Sequence, residues 1–337
     1  MDIEKIMEGH LLKGTDISSD NIRTIAVTGS NGFLGSHLVK SLKRRFFVFA
    51  LIRPSTATEG FHEGCFRVHC DIRLDRSVSG AVEDIRAMRQ VEAVVHLAGV
   101  RAHWYPETVF HEVNVEGTRR VVWAARELGA GQLVFASSSL VYAQAKSPYS
   151  RSKVEAERMV REGRVPYTII RFTPIFGTGD ETNITKLVQI ASGKSPLPLV
   201  PVVSFGRQRI QPLFVEDAAA AIEAVLLREE HLNKEYDLSG FETDLREIVS
   251  LAKSSSGCRK PVVSIPEALA RLLAKAQAKL IKHPVLSIQQ LNSLKEELVF
   301  DSSMTWEKLG LERTEIADAI YSLASGRHVQ TDRHRSI

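Results

Sequence analysis

From Ile22 onward, short runs rich in β-branched and aromatic residues alternate with longer stretches whose apolar residues recur every three to four positions. The short runs predict strands at Ile22–Val27, Phe46–Ile52, Phe66–Cys70, Ala93–Leu97, Gln132–Ala136 and Tyr167–Arg171. The longer stretches predict helices at Leu34–Lys43, Arg73–Met88, Thr108–Leu128 and Ser150–Gly163. Such alternation implies an α/β architecture, a doubly wound parallel sheet with helices on both faces. After Phe172 the pattern changes. Gly177, Gly179, Gly193, Pro196, Pro198, Pro201 and Gly206 crowd into a stretch that reads as loops around one helix. Core-like composition returns at Pro212–Val215, Glu216–Leu227 and Tyr236–Leu238, and the remainder to about Ser325 reads as mostly helical.

These boundaries divide the chain into an N-terminal extension (1–20), a Rossmann-type sheet domain (21–175 and 212–240), a smaller, mostly helical substrate part (176–211 and 241–328) and a polar tail (329–337). A length of 337 residues suits one large domain or two modest ones. Composition, at 44% hydrophobic and 25% charged, excludes disorder, collagen-like repeats and coiled coil. A formal net charge of +4 with no basic stripe gives no reason to expect a nucleic-acid partner. Cys65, Cys70 and Cys258 are too few for a disulfide framework and suit a reducing compartment. The first twenty residues do not resemble a signal peptide, and no apolar run reaches the roughly 18 residues that span a bilayer. A cytoplasmic location is therefore expected. His62, Cys65, His69 and Cys70 lie close together, but their spacing fits no zinc pattern, and alternation points Cys65 and Cys70 to opposite strand faces. No metal is expected.

The first strand runs into Thr28-Gly29-Ser30-Asn31-Gly32-Phe33-Leu34-Gly35, and a helix follows at once. A turn this tight needs residues that tolerate positive φ, and close approach to a pyrophosphate needs backbone without a Cβ. The helix N-terminus adds unpaired N–H groups and partial positive charge. Tyr149 and Lys153 stand four apart at the start of a helix and so share a face. Such a pair is commonly a surface pair. Placed beside a nucleotide site it has a chemical use: an ammonium lowers a phenol's pKa toward the range where it can exchange a proton with a carbonyl or alcohol oxygen.

The Gly29, Gly32, Gly35 spacing resembles the loop of the short-chain dehydrogenase/reductase superfamily, extended type, also called the NAD-dependent epimerase/dehydratase family. Further features stand in register over Ile22 to about Gly240. Asp71-Ile72 is similar to the family's pair beside the adenine, and His96-Leu97-Ala98-Gly99 to the loop under the cofactor. Asn114 resembles its helix Asn, and Val215-Glu216-Asp217 its later V-x-D segment. The resemblance implies NAD(P) binding by Gly29, Ser30, Asn31, Gly32, Phe33, Leu34, Gly35, Asp71, Ile72, Leu97, Ala98 and Gly99. It assigns catalysis to Tyr149, Lys153, Ser138 and Asn114, with Tyr149 and Lys153 also binding the cofactor, Lys153 at the nicotinamide ribose. Ser137 and Ser139 are expected to satisfy backbone groups at the strand end. Arg53, at the end of the second strand where an acidic residue would select NAD, favours NADP.

Within the family, 4,6-dehydratases carry Asp-Glu after the catalytic Ser. Ser139 and Leu140 stand there instead, so dehydration is not expected. Pro174 and Ile210 occupy places where nucleotide-sugar epimerases resemble one another in having Asn and Arg, although Arg207 and Arg209 lie nearby as candidate substrate residues. What the sequence keeps is machinery for reversible hydride transfer at a ketone or secondary alcohol of a small, sugar-like or other carbonyl substrate. An NADP-linked reductase is favoured. A nucleotide-sugar epimerase with tightly held NAD(P) stays open, as does a non-catalytic dinucleotide-binding accessory protein like those of respiratory complex I. That last comparison rests on Arg209–Asp217 and His283-Pro284-Val285-Leu286. His103 and Trp104, with Tyr105 and His111, are candidate substrate-pocket residues on a loop. Two further expectations concern surfaces. Helices Thr108–Leu128 and Ser150–Gly163 are candidates for a homodimer contact. The basic amphipathic stretch Ala268–Ile281, with Arg271, Lys275 and Lys279 at four-residue spacing beside Leu269, Leu272, Leu273, Ala276 and Leu280, is expected to form a helix covering the substrate part, in preference to touching an anionic membrane.

Overall fold

Strand β1 (Thr24–Thr28) is buried along its whole length, as a strand covered on both faces must be. It sits inside a seven-stranded parallel sheet with β2 (Phe47–Ile52), β3 (Phe66–His69), β4 (Ala93–His96), β5 (Gln132–Ser138), β6 (Tyr167–Phe172) and β7 (Lys234–Leu238). The spatial order is β7-β6-β5-β4-β1-β2-β3. The chain leaves β1 toward β2 and β3, then crosses back to place β4 on the other side of β1, so a crevice opens at the carboxyl ends of β1 and β4. The computed structural model describes residues 23–54, 64–102, 105–144, 146–180, 183–280, 291 and 298–326. The 1–20 extension, the 329–337 tail, His62 and the 283–286 segment lie outside them.

Alternation along β1 builds two cores. Ile25 and Val27 pack with Leu38, Leu42, Ile222 and Val225 from helices Phe33–Leu42 and Val215–Leu227. Ala26 packs on the other face with Val121, Ala125, Ala156 and Val160, beneath helices Asp75–Met88, Gly117–Glu127 and Pro148–Glu162. Cys65 joins the first cluster and Cys70 the second, on opposite faces as their spacing predicts. A third cluster brings helices Asn183–Ala191, Leu245–Ser256 and Ile316–Ser325 together around Phe176, Phe214 and Ile248.

The structure departs from the sequence pattern in three places. The helix expected at Thr108–Leu128 is α only at Glu107–Phe110 and Gly117–Glu127; between them, His111–Glu116 forms a π turn. Short strands at Ile175–Phe176, Val200–Val203, Arg209–Ile210, Thr243–Asp244 and Val262–Ile265 lie where the sequence reads as loop or helix, because two to four residues give alternation no room to show, and Leu213–Phe214 forms a strand within the core-like Pro212–Val215 run. Among the described residues of helix Glu267–Leu280, Ala270 and Ala274 are buried, packed with Leu291, Val203 and Ile265. Leu269, Leu272 and Leu273 face outward, so the helix meets Val203 and Ile265 through alanines and not through these leucines. Alanines let this helix approach its neighbours closely, and the leucines take the other side.

Candidate active site

The glycine loop closes tightly. Gly29 has φ +67, and a Cβ there would lie 2.6 Å from the Ala98 amide nitrogen. A Cβ on Gly35 would come within 2.1 Å of the Gly29 carbonyl oxygen, so the helix can start this near the strand only with glycine. Gly32 donates its N–H to Gly29 O at 2.9 Å across the Ser30-Asn31 turn. Ser30 ties the loop to the end of β2 by donating to Leu51 O at 3.0 Å. Helix Phe33–Leu42 begins with no side-chain cap, which leaves the first-turn N–H groups, Phe33 and Leu34 among them, aimed into the crevice. Replacing Gly35 with alanine is expected to displace that backbone at a cost of about 1–3 kcal/mol and to weaken dinucleotide binding about tenfold or more. Fluorescence titration checks this; unchanged affinity would separate the loop from the phosphates.

A buried polar chain lies beneath the loop. Thr118 Oγ1 donates to Asn114 O at 2.6 Å, so it accepts from His96 Nε2 at 2.9 Å. Nδ1 of His96 is then the acceptor for Thr28 Oγ1 at 2.8 Å. Burial, helped by the Lys153 charge, pushes the His96 pKa down to about 3, so the ring stays neutral in this one tautomer. Thr28 Oγ1 in turn accepts the Ala98 N–H at 3.3 Å, fixing the Leu97-Ala98-Gly99 loop. Asn114 holds the next residue: its Oδ1 accepts from Val100 N at 2.8 Å, and its Nδ2 donates to Val100 O and to Ser152 Oγ, each at 2.9 Å. A Cβ on Gly99 would sit 3.1 Å from Asn114 Oδ1 and 3.9 Å from Lys153 Nζ, so the loop passes between these two side chains. The π turn is what presents Asn114 here.

Helix Pro148–Glu162 carries the Tyr–Lys pair. Ser147 caps it by accepting from Ser150 N at 3.1 Å, with proline in the first turn. Tyr149 stacks edge-on against Phe110, with centroids 6.3 Å apart, and the Ser138 hydroxyl at the end of β5 is near enough to its phenol to favour the charged form. Ser138 Oγ accepts from Leu140 N at 3.2 Å. Burial pushes the Tyr149 pKa up, while Arg101 and the Ser138 hydroxyl act in the opposite direction. Arg101 is thus a cation that favours the phenolate, additional to the role expected of Lys153. Lys153 Nζ donates to Ala136 O at 2.7 Å and lies 4.6 Å from the Phe135 ring centroid. Burial brings its pKa down to about 8, against a partly compensating pull from Glu157. Ser137 also departs from expectation: its hydroxyl donates to Glu157 Oε1 at 2.6 Å, because a buried carboxylate lies closer than any open backbone group.

Just beyond β3, Asp71 is clamped by Arg73, with Nε 3.0 Å from Oδ1 and Nη2 2.6 Å from Oδ2. That clamp, with Arg53 contributing at longer range, holds the Asp71 carboxyl below the usual range. Arg53 is exposed at the end of β2, and Ile72 packs against Gly117, where a Cβ would meet its Cδ1 at 2.7 Å. Asp217 is committed to Thr314, accepting from its N at 2.9 Å and its Oγ1 at 2.6 Å. Arg209 pairs with Glu242 on the surface, and Arg207 is exposed beside it. His103 and Trp104 lie outside the described residues.

Sequence reasoning missed Arg73, Arg101, Ser152, Glu157 and Arg171. For Glu157 a signal exists in its position four residues after Lys153. Arg101 carries none, since its place depends on Asp180, 79 residues away and 3.0 Å from its Nη2.

The crevice, the uncapped helix and the glycine loop together define a Rossmann-type dinucleotide-binding protein. The chain belongs to the NAD dependent epimerase/dehydratase family, which matches residues 25–238. It is 30% identical to a ceramide reductase of Caulobacter vibrioides over 212 residues, 62% of each chain, and so spans less than two thirds of that relative. It is 24% identical to the mitochondrial NADH-ubiquinone oxidoreductase 40 kDa subunit of Neurospora crassa over 308 residues, 88% of this chain and 78% of the relative. Its fold follows that of the UDP-glucuronic acid 4-epimerase of Bacillus cereus in complex with NAD, with TM-score 0.68 and 17% identity, covering 90% of this chain and 99% of the other. Relatives thus include both reductases and epimerases. Among the described residues, no helix is long and apolar enough to cross a membrane.

Proposed function

We propose that the protein is an NADP-linked reductase acting on a ketone or secondary alcohol, with Tyr149 as the proton donor and acceptor. The observation that carries this reading is the convergence of Tyr149, buried Ser138 at the end of β5, Lys153 and the Gly99 loop around Asn114. A carbonyl oxygen placed between the two hydroxyls would accept a hydrogen bond from Ser138 and the proton from Tyr149. The nicotinamide supplies or takes the hydride. Lys153 holds its ribose and keeps positive charge near the reacting oxygen; Asn114, whose amide is occupied with Val100 and Ser152, positions the loop. The substrate part would comprise 176–211 and 241–328, and the scarcity of cysteine suits a cytoplasmic enzyme.

Ser139 and Leu140 supply no extra acid and base for dehydration, and Pro174 and Ile210 replace residues by which nucleotide-sugar epimerases resemble one another. These absences favour reduction of a smaller or less polar carbonyl. The ceramide reductase relative is consistent with that direction. The test is to mix purified protein with NADPH and a panel of ketones and follow nicotinamide absorbance. Net oxidation with an exchangeable cofactor is the expected result. A dinucleotide that copurifies and turns over without net consumption would establish the epimerase reading, and full binding without turnover the non-catalytic one.

Arg53 is proposed to meet the 2′-phosphate of NADP. Losing a charge-assisted contact costs about 1.5–3 kcal/mol, so Arg53→Ala should weaken NADPH binding about tenfold or more and leave NADH unchanged. Equal preference before and after the substitution would remove Arg53 from cofactor selection.

A further inference from the structure

Helix Glu267–Leu280 and the strand before it present a surface that the hydride chemistry does not use. Leu269 is 47% exposed, Leu272 64% and Leu273 42%, and Val262 and Val263 are 44% and 40% exposed in the preceding strand. Single exposed leucines are ordinary; three on one helical face, at spacings of three and four, are a patch. Ala270 and Ala274, buried at 0% and 1%, point the other way, so the leucine face is not the one that holds the helix to the protein.

Charge says what fits it. Between Arg259 and Lys282 the sequence holds six basic residues and one acidic, Glu267, which pairs with Arg271. The whole chain has only four more basic than acidic residues, so outside this segment it carries no net positive charge. Lys275 is exposed and stands three residues beyond Leu272, on the flank of the leucine face. An apolar face with a lysine on its flank, in a segment this basic, matches the boundary of an anionic bilayer, where leucines enter the acyl region and ammonium groups meet phosphates.

We propose that the Leu269–Leu272–Leu273 face of helix Glu267–Leu280, with Lys275 beside it, adsorbs the protein to membranes bearing anionic phospholipid. The helix packs against Val203, on the irregular stretch that leads to Arg207, so adsorption would bring this part of the molecule to the bilayer surface. The proposal does not rest on the identity of the reaction.

The test is cosedimentation of the full-length protein with phosphatidylcholine vesicles and with vesicles of mixed phosphatidylglycerol and phosphatidylcholine. The expected result is binding to the mixed vesicles only, weakened by salt. Lys275→Gln should reduce it about fivefold, equivalent to about 1 kcal/mol per charge. The triple variant Leu269→Ser, Leu272→Ser, Leu273→Ser should abolish it while dinucleotide affinity, measured on the same preparation, stays constant and reports an intact fold. Equal binding to both vesicle types, or none to either, would overturn the proposal. So would a dimer that the serine variant disperses, which would make the face a contact between copies.

Discussion

Tyr149→Phe should lower the rate of carbonyl reduction by about 100- to 10,000-fold, the contribution typical of a positioned general acid, with dinucleotide affinity unchanged. Phenylalanine keeps the ring against Phe110 and removes only the atom that carries the proton. In the reductive direction the protonated phenol is the working form, and burial, which pushes the Tyr149 pKa up, preserves it. The reverse reaction needs phenolate and should gain rate as pH rises. Lys153 adds a second limb. With its pKa brought down to about 8 by burial, it loses its charge above that pH, so reductive kcat/KM should decline there. Lys153→Met should remove the limb along with much of the activity. Stopped-flow rates across pH read both effects, and a Tyr149→Phe enzyme that retained turnover would end the assignment.

Arg171→Leu is expected to destabilise the fold by about 3–5 kcal/mol, because it strands a buried carboxylate. Glu157, 3% exposed, accepts from Arg171 Nε at 2.8 Å and Nη2 at 2.7 Å, from Arg161 Nη2 at 2.7 Å and from Ser137 Oγ. Arg171 also pairs with Glu235, so the cluster joins β5, β6, β7 and the Tyr149 helix. Glu157 is held below the usual glutamate range despite burial, and the arginines hold Glu235 at about 2. A depressed carboxyl stabilises the fold above its unfolded pKa and loses that contribution as pH falls through the folded value. The wild-type protein should therefore lose stability progressively below the ordinary carboxyl range, and the Arg171→Leu protein should start lower and lose less. Urea unfolding at neutral and acid pH measures both; a loss under about 1 kcal/mol at neutral pH would show that water reaches Glu157.

The alternating sheet and the cofactor loop could be read from the chain because each is written locally. β1 to β6 are apolar runs bounded by turns, and Gly29 to Gly35 lies within eight residues. What stayed hidden depends on distance along the chain. Arg101 acts on Tyr149 from a different loop, and the Glu157–Arg171–Glu235 cluster joins residues up to 78 apart. The leucine face of helix Glu267–Leu280 could not be oriented from the sequence because periodicity reports that a helix has an apolar side, and not which side meets the protein. Ala270 and Ala274 provide the contact.

The π turn at His111–Glu116 amounts to one residue more than an α-helix would use over the same rise. Across it Phe110 upstream and Thr118 downstream are both buried, and the Asn114 side chain between them bonds Val100. The segment is therefore intolerant of length change in a way that composition does not reveal. Shortening it by one would turn everything on one side by about 100°, breaking either the Phe110–Tyr149 stack or the Thr118–His96 bond. In this helix the count of residues is itself part of the active site, apart from their chemistry.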